Sequence, residues 1–226
     1  MAELILALDT PRGADALRLL DKLPALLWVK VGSILMTREG PDFVRQLTGR
    51  NLKVFLDLKW HDIPNTVAGA VTAAREMGVS MATLHTLGGG VMMESAAVAS
   101  GGEVALVGVT VLTSHDAAGY ARAVGRNEVN VSSEVERQGL EAMEAGLQGI
   151  VCSPAEVSLL RRRLGPGPLI VVPGIRRRGD PTGDQSRVAT AKDAVTAGAT
   201  HLVVGRPVLQ ASDPARAFEE FLEEAQ

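Results

Sequence analysis

The sequence predicts a (β/α)8 barrel, the TIM-barrel fold of the α/β class, as a single domain over residues 1–226. Eight short runs rich in Val, Ile and Leu alternate with longer helical segments along the 226-residue chain. Continuous apolar runs are typical of parallel strands that are buried on both faces. Strict alternation at this count favours a closed parallel barrel. No linker or low-complexity stretch divides the chain, so one domain is expected.

An open doubly wound sheet is the alternative fold. That architecture commonly carries a Gly-x-Gly-x-x-Gly motif after its first strand. No such motif follows the first apolar run of this chain. The barrel is therefore the better prediction.

The predicted elements follow from hydrophobic periodicity and from the residues that begin and end each segment. The predicted strands cover residues 3–9, 27–31, 53–59, 81–85, 104–111, 149–152, 169–172 and 201–204. Helices are predicted over residues 15–22, 36–47, 63–77, 117–123, 131–145, 154–164, 188–197 and 214–225, and one more opens at the glycine run 88–90. The helix over 36–47 is expected to be interrupted at Pro41.

Composition excludes several classes of protein. The formal net charge is -3, and no stripe of Lys and Arg with interleaved aromatics is present, so no nucleic-acid partner is expected. The single cysteine, Cys152, cannot form an intramolecular disulfide and predicts a reduced, cytoplasmic setting. We expect it to be a buried thiol rather than a nucleophile. No basic leader and no apolar run of about 20 residues is present, so neither a signal peptide nor a membrane span is predicted.

The segment from residue 57 to residue 66 concentrates the charges of the chain at the end of a predicted buried strand. Side chains alternate along a strand, so Asp57 and Lys59 should face the same way, with Asp62 close behind. Two carboxylates beside one ammonium keep a lysine protonated, and such a lysine can act as a positioned proton donor. A structural ion-pair network is the alternative interpretation.

Active sites of these barrels lie at the carboxyl ends of the strands. Polar residues at the other predicted strand ends are Asp9, Lys30, His85, Thr113 and Ser114. Several charges brought near each other cost folding energy unless they are paired and hydrogen-bonded. This arrangement therefore favours a catalytic site over an incidental cluster.

The last two predicted strands end in a pattern suited to phosphate. Gly174 with Arg176 follows the seventh strand, and Gly205 with Arg206 follows the eighth. Barrels commonly bind phosphate in these two loops, where glycine lets backbone N–H groups approach and arginine adds a planar clamp. Ordinary turn glycines beside surface arginines are the alternative. The polar segment 177–187 between them is predicted to be a lid.

The motif Asp57-Leu58-Lys59-Trp60-His61-Asp62-Ile63-Pro64-Asn65-Thr66 resembles the signature of the orotidine 5'-phosphate decarboxylase family. Trp60 is the chief departure, because a smaller aromatic residue is usual there. The resemblance extends over essentially the whole chain and includes Ala7-Leu8-Asp9, Lys30-Val31-Gly32, His85-Thr86, Val111-Leu112-Thr113-Ser114, Pro173-Gly174-Ile175-Arg176, Gly183-Asp184-Gln185-Ser186-Arg187 and Val204-Gly205-Arg206-Pro207.

The resemblance implies a barrel that forms a homodimer with shared active sites. It implies decarboxylation of orotidine 5'-phosphate to UMP and CO2 without a cofactor or metal, the last step of de novo pyrimidine nucleotide biosynthesis. Lys59 would be the proton donor within a network that includes Asp57 and Lys30. Asp62 and Thr66 would be contributed to the site of the partner subunit.

The same resemblance implies how the substrate is held. Asp9 and Lys30 would bind the ribose hydroxyls, and Thr113 would contact the pyrimidine. Gln185 would bridge base and phosphate. The phosphate itself would be held by Arg176, Gly205 and Arg206.

Two other functions compete with this one. Sugar-phosphate decarboxylases or aldolases of the same superfamily share the Asp-x-Lys-x-x-Asp pattern, but they use Mg2+ and carry an acidic residue where this chain has Lys30. Lys30 and Lys59 would compete electrostatically with a cation, so no metal site is expected. A non-catalytic nucleotide-binding barrel is the other alternative, and the intact Lys59 argues against it.

Overall fold

A computed structural model describes residues 1–177, 179–180 and 187–226 of the chain. Within these residues, eight parallel strands pair in sequence order, and the last strand pairs with the first to close a barrel. The predicted TIM-barrel fold is therefore confirmed. The strands are β1 (Glu3–Ala7), β2 (Trp28–Gly32), β3 (Lys53–Trp60), β4 (Met81–His85), β5 (Ala105–Val109), β6 (Gly149–Val151), β7 (Leu169–Val172) and β8 (His201–Val204).

Helices follow the strands around the outside of the barrel. Those in the described part of the chain are α1 (Gly13–Leu20), α2 (Ser33–Thr48), α3 (Pro64–Glu76), α4 (Gly90–Ser100), α5 (Ala117–Ala123), α6 (Val131–Glu144), α7 (Val157–Leu164), α8 (Ala191–Ala197), α9 (Arg206–Leu209) and α10 (Pro214–Glu224). None of these helices is both long and apolar enough to cross a lipid bilayer.

The strands are buried on both faces because each face meets a separate apolar cluster. Alternate residues of β1 illustrate this division. Ile5 and Ala7 belong to a small cluster inside the barrel, which also includes Phe55 and Val203. Leu4 and Leu6 instead belong to the larger cluster between strands and helices, as does Leu8 just after the strand. The inner cluster closes the barrel from below and leaves the carboxyl ends of the strands open for a site.

Several element boundaries differ from prediction. Strand β1 ends at Ala7, so Asp9 lies in the following loop rather than in the strand. Helix α2 is kinked where predicted, because Gly40 has a φ of 70° immediately before Pro41. Helix α8 begins later than predicted, because Ala189 pairs with Ile175 in a parallel bridge and is held extended. Most of the predicted lid, residues 178 and 181–186, lies outside the described residues.

Candidate active site

A cavity of about 250 Å³ opens at the carboxyl ends of the strands. Inward-facing side chains of the barrel, among them Phe55, Val171 and Val203, make part of it apolar. Its polar lining comes from the loops and strand ends above them. The predicted site residues that line it are Asp9, Lys30, Asp57, Lys59, Thr113, Arg176, Gly205 and Arg206.

Asp57 is the centre of the charged network. Its Oδ1 lies 2.8 Å from Nζ of Lys59, and its Oδ2 lies 3.5 Å from Nζ of Lys30. Oδ1 also accepts a hydrogen bond of 3.0 Å from the hydroxyl of Thr83. The carboxylate is therefore shared between two ammonium groups, which fixes both lysines at the cavity wall.

The surroundings of Asp57 keep its carboxylate ionised. Burial alone would raise the pKa of Asp57, but the charges of Lys30 and Lys59 and the hydrogen bonds from Lys59 and Thr83 outweigh burial and lower it. The lowered pKa means that the negative charge persists at neutral pH. An ionised carboxylate at this position attracts the side chains of Lys59 and Lys30.

Lys59 reaches Asp57 through a backbone conformation that regular strand alternation does not predict. Its φ of 52° lies in the left-handed region, which L-residues with side chains rarely adopt. The pairing of β3 with β4 shifts between Leu56 and Trp60, as at a β-bulge. The predicted proximity of Asp57 and Lys59 is correct, but alternation is not its cause. Such strained positions are common at functional sites.

Thr83 is a site residue that sequence reasoning missed. This fully buried threonine of β4 accepts the backbone N–H of Lys59 at 2.8 Å and donates to Asp57. One hydroxyl thus supports both the unusual backbone of Lys59 and the carboxylate that Lys59 contacts. The available signal was a polar residue in the middle of an otherwise apolar strand.

Asp9 joins the network from the loop after β1. Its Oδ1 accepts a hydrogen bond of 3.1 Å from Lys30. Two glycines make room for this pair. A Cβ on Gly32 would lie 3.1 Å from Nζ of Lys30, and one on Gly205 would lie 3.6 Å from Oδ2 of Asp9 and 3.3 Å from Cβ of Ala7. A side chain at Gly32 would therefore press on the charged network.

A second part of the cavity wall carries two arginines. Arg176 follows β7 and Gly174, whose φ of 79° favours glycine. Arg176 is buried and donates from Nη1 to the carbonyl of Ile175 at 2.7 Å. Arg206 follows β8 and Gly205 and begins α9. Two planar guanidinium groups in one cavity are suited to bind a phosphate.

Cys152 lines the same cavity as a buried thiol. Burial raises its pKa, and the nearby Glu156 raises it further. A thiol with a raised pKa carries little thiolate and is a poor nucleophile. The prediction that Cys152 is a buried thiol is therefore confirmed.

Comparison with known proteins identifies the group to which this arrangement belongs. A protein-family model matches residues 2–221, nearly the whole chain. The chain belongs to the orotidine 5'-phosphate decarboxylase / HUMPS family. The resemblance predicted from residues 57–66 is thus confirmed.

Individual relatives of the family are similar over almost their full length. The orotidine 5'-phosphate decarboxylase of Halorhodospira halophila is 49% identical over 218 residues, which cover 95% of this chain and 92% of the relative. That of Vibrio parahaemolyticus is 45% identical over 218 residues, covering 94% and 93%. A crystal structure of orotidine 5'-phosphate decarboxylase from Lactobacillus acidophilus superposes with a TM-score of 0.88 at 34% identity and covers 100% of both chains.

Two described residues that the family resemblance assigns to the site, Asp62 and Thr66, do not line this cavity. Asp62 is exposed, and its Oδ1 accepts the N–H of Ile63 at 2.6 Å rather than a bond from Lys59. Thr66 is exposed on the first turn of α3. Gln185 lies outside the described residues. The spacing of the motif predicted that Asp62 lies beside Lys59. Within one chain, the two side chains do not form this contact.

A stacked pair of histidines borders the network. The rings of His61 and His85 lie 5.6 Å apart at an interplanar angle of 25°. Burial lowers the pKa of His85 to about 4, and His61 and then Lys59 add to the effect. His85 is therefore neutral at physiological pH, and its Nδ1 accepts the N–H of Leu87 at 3.4 Å. Sequence spacing did not predict this pair.

The charged groups of the cavity are not arranged as a metal centre. Among the described residues, no group of three or more His, Cys, Asp or Glu side chains could hold a metal ion. Lys30 instead lies between the carboxylates of Asp9 and Asp57.

Proposed function

We propose that this chain decarboxylates orotidine 5'-phosphate to UMP and CO2, as the last step of de novo pyrimidine nucleotide biosynthesis. The observation that carries the proposal is a lysine ammonium, Lys59, held 2.8 Å from an ionised buried carboxylate, Asp57, in a cavity that two arginines also line. Family membership and relatives named as this decarboxylase at 45% and 49% identity support it.

Lys59 is assigned the chemical step. When the bond between C6 of the pyrimidine and its carboxylate breaks, the electron pair remains on C6 and CO2 leaves. A carbanion at C6 has little resonance stabilisation, so an ammonium beside it stabilises the developing charge and then donates its proton to C6. Lys59 regains a proton from solvent before the next turnover.

Asp57 and Lys30 are assigned to keep Lys59 in place. Asp57 stays ionised because its pKa is lowered, and its carboxylate orients the Lys59 side chain through the 2.8 Å contact. Lys30 balances the second oxygen of Asp57 and contacts Asp9. We assign Asp9 and Lys30 to the ribose hydroxyls and Thr113 to the pyrimidine.

The phosphate supplies binding energy at a distance from the reacting carbon. We assign Arg176, Gly205 and Arg206 to the phosphate, and Gln185 to a bridge between base and phosphate. Binding energy from a group remote from the reacting carbon increases the rate when it holds the substrate in the geometry of the transition state. Loss of the phosphate should therefore lower the rate as well as the affinity.

We further propose a homodimer with shared sites. Ile34, Ile63 and Val91 follow the neighbouring strands β2, β3 and β4, and they are 58%, 67% and 69% exposed. Apolar side chains exposed in one region commonly mark an interaction surface. Asp62 and Thr66 are exposed in the same region. A second copy on this surface would cover the apolar groups, and we assign Asp62 and Thr66 to its active site.

One catalytic domain over residues 1–226, working in the cytoplasm without a nucleic-acid or membrane partner, completes the proposal. Pairing of β1 with β8 makes the two ends of the chain neighbours in one barrel, which supports a single domain. The single cysteine suits a reducing compartment.

The decisive experiment incubates purified, chelator-treated protein with orotidine 5'-phosphate and follows the loss of substrate absorbance. We expect full turnover in EDTA, because Lys30 occupies the space between the two carboxylates that a cation would need. Turnover that returns only with added Mg2+ would favour a metal-dependent sugar-phosphate enzyme. Nucleotide binding without any turnover would favour a non-catalytic barrel.

A further inference from the structure

Arg187 connects separate loops at the rim of the cavity. Its Nη1 lies 2.7 Å from Oε1 of Glu156, and its Nη2 donates to the carbonyl of Leu112 at 3.4 Å. Leu112 belongs to the loop after β5, and Glu156 to the 3-10 turn after β6. Arg187 itself lies between β7 and α8. One guanidinium therefore joins the loops that follow three consecutive strands.

Both loops that Arg187 contacts contribute directly to the cavity. Leu112 and its neighbour Thr113 line it, as does Cys152. The turn that follows Cys152 is held by Ser153, whose hydroxyl donates to Oε2 of Glu156. Any shift of Glu156 is therefore transmitted within four residues to the cavity wall.

The chain beside Arg187 is also attached to a proposed phosphate ligand. Two residues later, the carbonyl of Ala189 accepts the backbone N–H of Arg176 at 2.9 Å, and Ala189 pairs with Ile175 in a parallel bridge. Arg187 thus connects the backbone of Arg176 to the loops carrying Thr113 and Cys152.

Stability does not account for this pair. Glu156 is 4% exposed, and the side chain of Arg187 is 19% exposed. A buried ion pair seldom stabilises a fold more than apolar side chains of similar size, because both charges lose hydration. Arginine offers something that apolar groups lack, a rigid fork of donors that can bind acceptors on two different loops. The geometry therefore suits positioning.

We propose that Arg187 and Glu156 are positioning residues that hold the phosphate end of the cavity, at Arg176, at a fixed distance from the wall formed by the loops after β5 and β6. The inference rests on the proposed function and deepens it. The pair touches no reacting atom in this assignment. It sets the spacing at which a substrate bound through its phosphate presents its base to the opposite loops.

Kinetics with two substrates test this role. We would compare Arg187→Met, Glu156→Gln and the double variant, using orotidine 5'-phosphate and orotidine, which lacks the phosphate. Each single variant should lose roughly 10–100-fold in kcat/KM with orotidine 5'-phosphate, since misplacement of a reacting group by about 1 Å costs on that order. With orotidine the loss should stay under about threefold, because Arg176 then has no phosphate to hold.

The double variant separates a joint role from two independent ones. Residues that act as a unit give non-additive effects, so the kcat/KM of the double variant should be no lower than that of the less active single variant. It also removes both charges, which protects folding if one single variant leaves a buried charge unpaired. Arg137→Met is the matched control, because the side chain of Arg137 is 51% exposed and pairs with Glu134 and Glu141 on its own helix, α6. Additive losses, equal losses with orotidine, or no loss would each overturn the proposal.

Cys152 provides a readout that does not depend on turnover. It is the single cysteine of the chain and is 1% exposed, so every labelled molecule reports the wall beside Glu156. A maleimide should label the Arg187→Met protein at least tenfold faster than wild type. The charge change alone would act the other way, because Arg187 lowers the pKa of Cys152 and its loss leaves less thiolate. The rate should depend only weakly on added urea, since local opening exposes little surface.

The two readouts distinguish a failure of this inference from a failure of the proposed function. If the wild-type protein does not turn over orotidine 5'-phosphate, the proposed function fails and labelling alone judges the positioning pair. If wild-type turnover is present but Arg187→Met is labelled no faster than wild type, the pair does not hold the wall and the inference is wrong. The inference is equally wrong if the labelling rate of Arg187→Met rises with urea as steeply as global unfolding does.

Discussion

The hydroxyl of Thr83 is the most informative single group to remove, because it supports two features of the network at once. Thr83→Val keeps the shape of the side chain and deletes its oxygen. The change removes the hydrogen bond of 3.0 Å from the Thr83 hydroxyl to Asp57. It also deletes the oxygen that accepts the backbone N–H of Lys59 at 2.8 Å in the wild-type protein. Both consequences fall on the two residues assigned to the chemistry.

The expected magnitude follows from these two bonds. A hydrogen bond to a charged group contributes about 1.5–3 kcal/mol, and an unsatisfied buried N–H costs about 1–3 kcal/mol. Part of this total lowers the free energy of unfolding. The remainder should appear as misplacement of Lys59, for which we expect a loss of roughly 10–100-fold in kcat/KM with orotidine 5'-phosphate, since each factor of ten corresponds to about 1.4 kcal/mol.

The assay combines urea unfolding with a pH–rate profile. Because the Thr83 hydroxyl is one of the groups that lower the pKa of Asp57, Thr83→Val should move that pKa upward and shift the acidic limb of activity to higher pH. Thr83→Ser, which keeps the hydroxyl, should retain most activity. Thr110→Val is the matched control, because its buried hydroxyl donates to the carbonyl of Val151 and not to the network.

Thr110→Val should cost stability with little change in the pH profile. A folded Thr83→Val protein with wild-type kcat/KM and an unchanged acidic limb would refute the reasoning, because neither bond would then matter to the reacting groups.

Three further predictions address the remainder of the proposed site. Lys59→Ala and Asp62→Ala should each be inactive, but a one-to-one mixture of the two proteins should recover up to roughly a quarter of wild-type activity per subunit. This fraction follows because half of the randomly formed dimers are mixed and half of the sites in a mixed dimer are intact. Subunit exchange without recovery of activity would place Asp62 in its own subunit's site. Arg206→Ala should lose about 2–5 kcal/mol of transition-state stabilisation with orotidine 5'-phosphate and little with orotidine; equal losses would indicate misfolding. Ionised Asp57 should stabilise the fold at neutral pH. This contribution to the free energy of unfolding should be lost as the pH falls from the ordinary carboxyl pKa towards the lowered pKa of Asp57. In acid unfolding curves, Asp57→Asn should lack this pH-dependent contribution.

The fold could be predicted from the sequence because its determinants are local and repeated. Most strands are apolar runs that are buried on both faces in the structure, as the runs at β1 and β8 illustrate. Alternation with helices then leaves few ways to cover both faces of a parallel sheet. The glycine and arginine after each of the last two strands were likewise predictable, since strand ends in such a barrel converge on one rim.

The details that set the geometry of the site were not predictable, because they depend on contacts between distant parts of the chain. The left-handed backbone of Lys59 accompanies a shift of register against β4 and a bond to Thr83, which lies 24 residues away. The pair of Arg187 and Glu156 spans 31 residues. Periodicity within one segment carries no information on either contact.

The charges of the network explain why Lys59 and Asp57 belong together in the proposed reaction. Within one chain, the carboxylates of Asp9 and Asp57 face the ammonium groups of Lys30 and Lys59, so the cluster is close to neutral. Decarboxylation does not create a negative charge but moves one from the substrate carboxylate to C6. A uniformly positive site would stabilise both states equally and would not accelerate the step. A carboxylate and an ammonium 2.8 Å apart instead produce a steep change of potential over a short distance. With C6 towards Lys59 and the departing group towards Asp57, the field of the pair favours the movement of charge that the reaction requires.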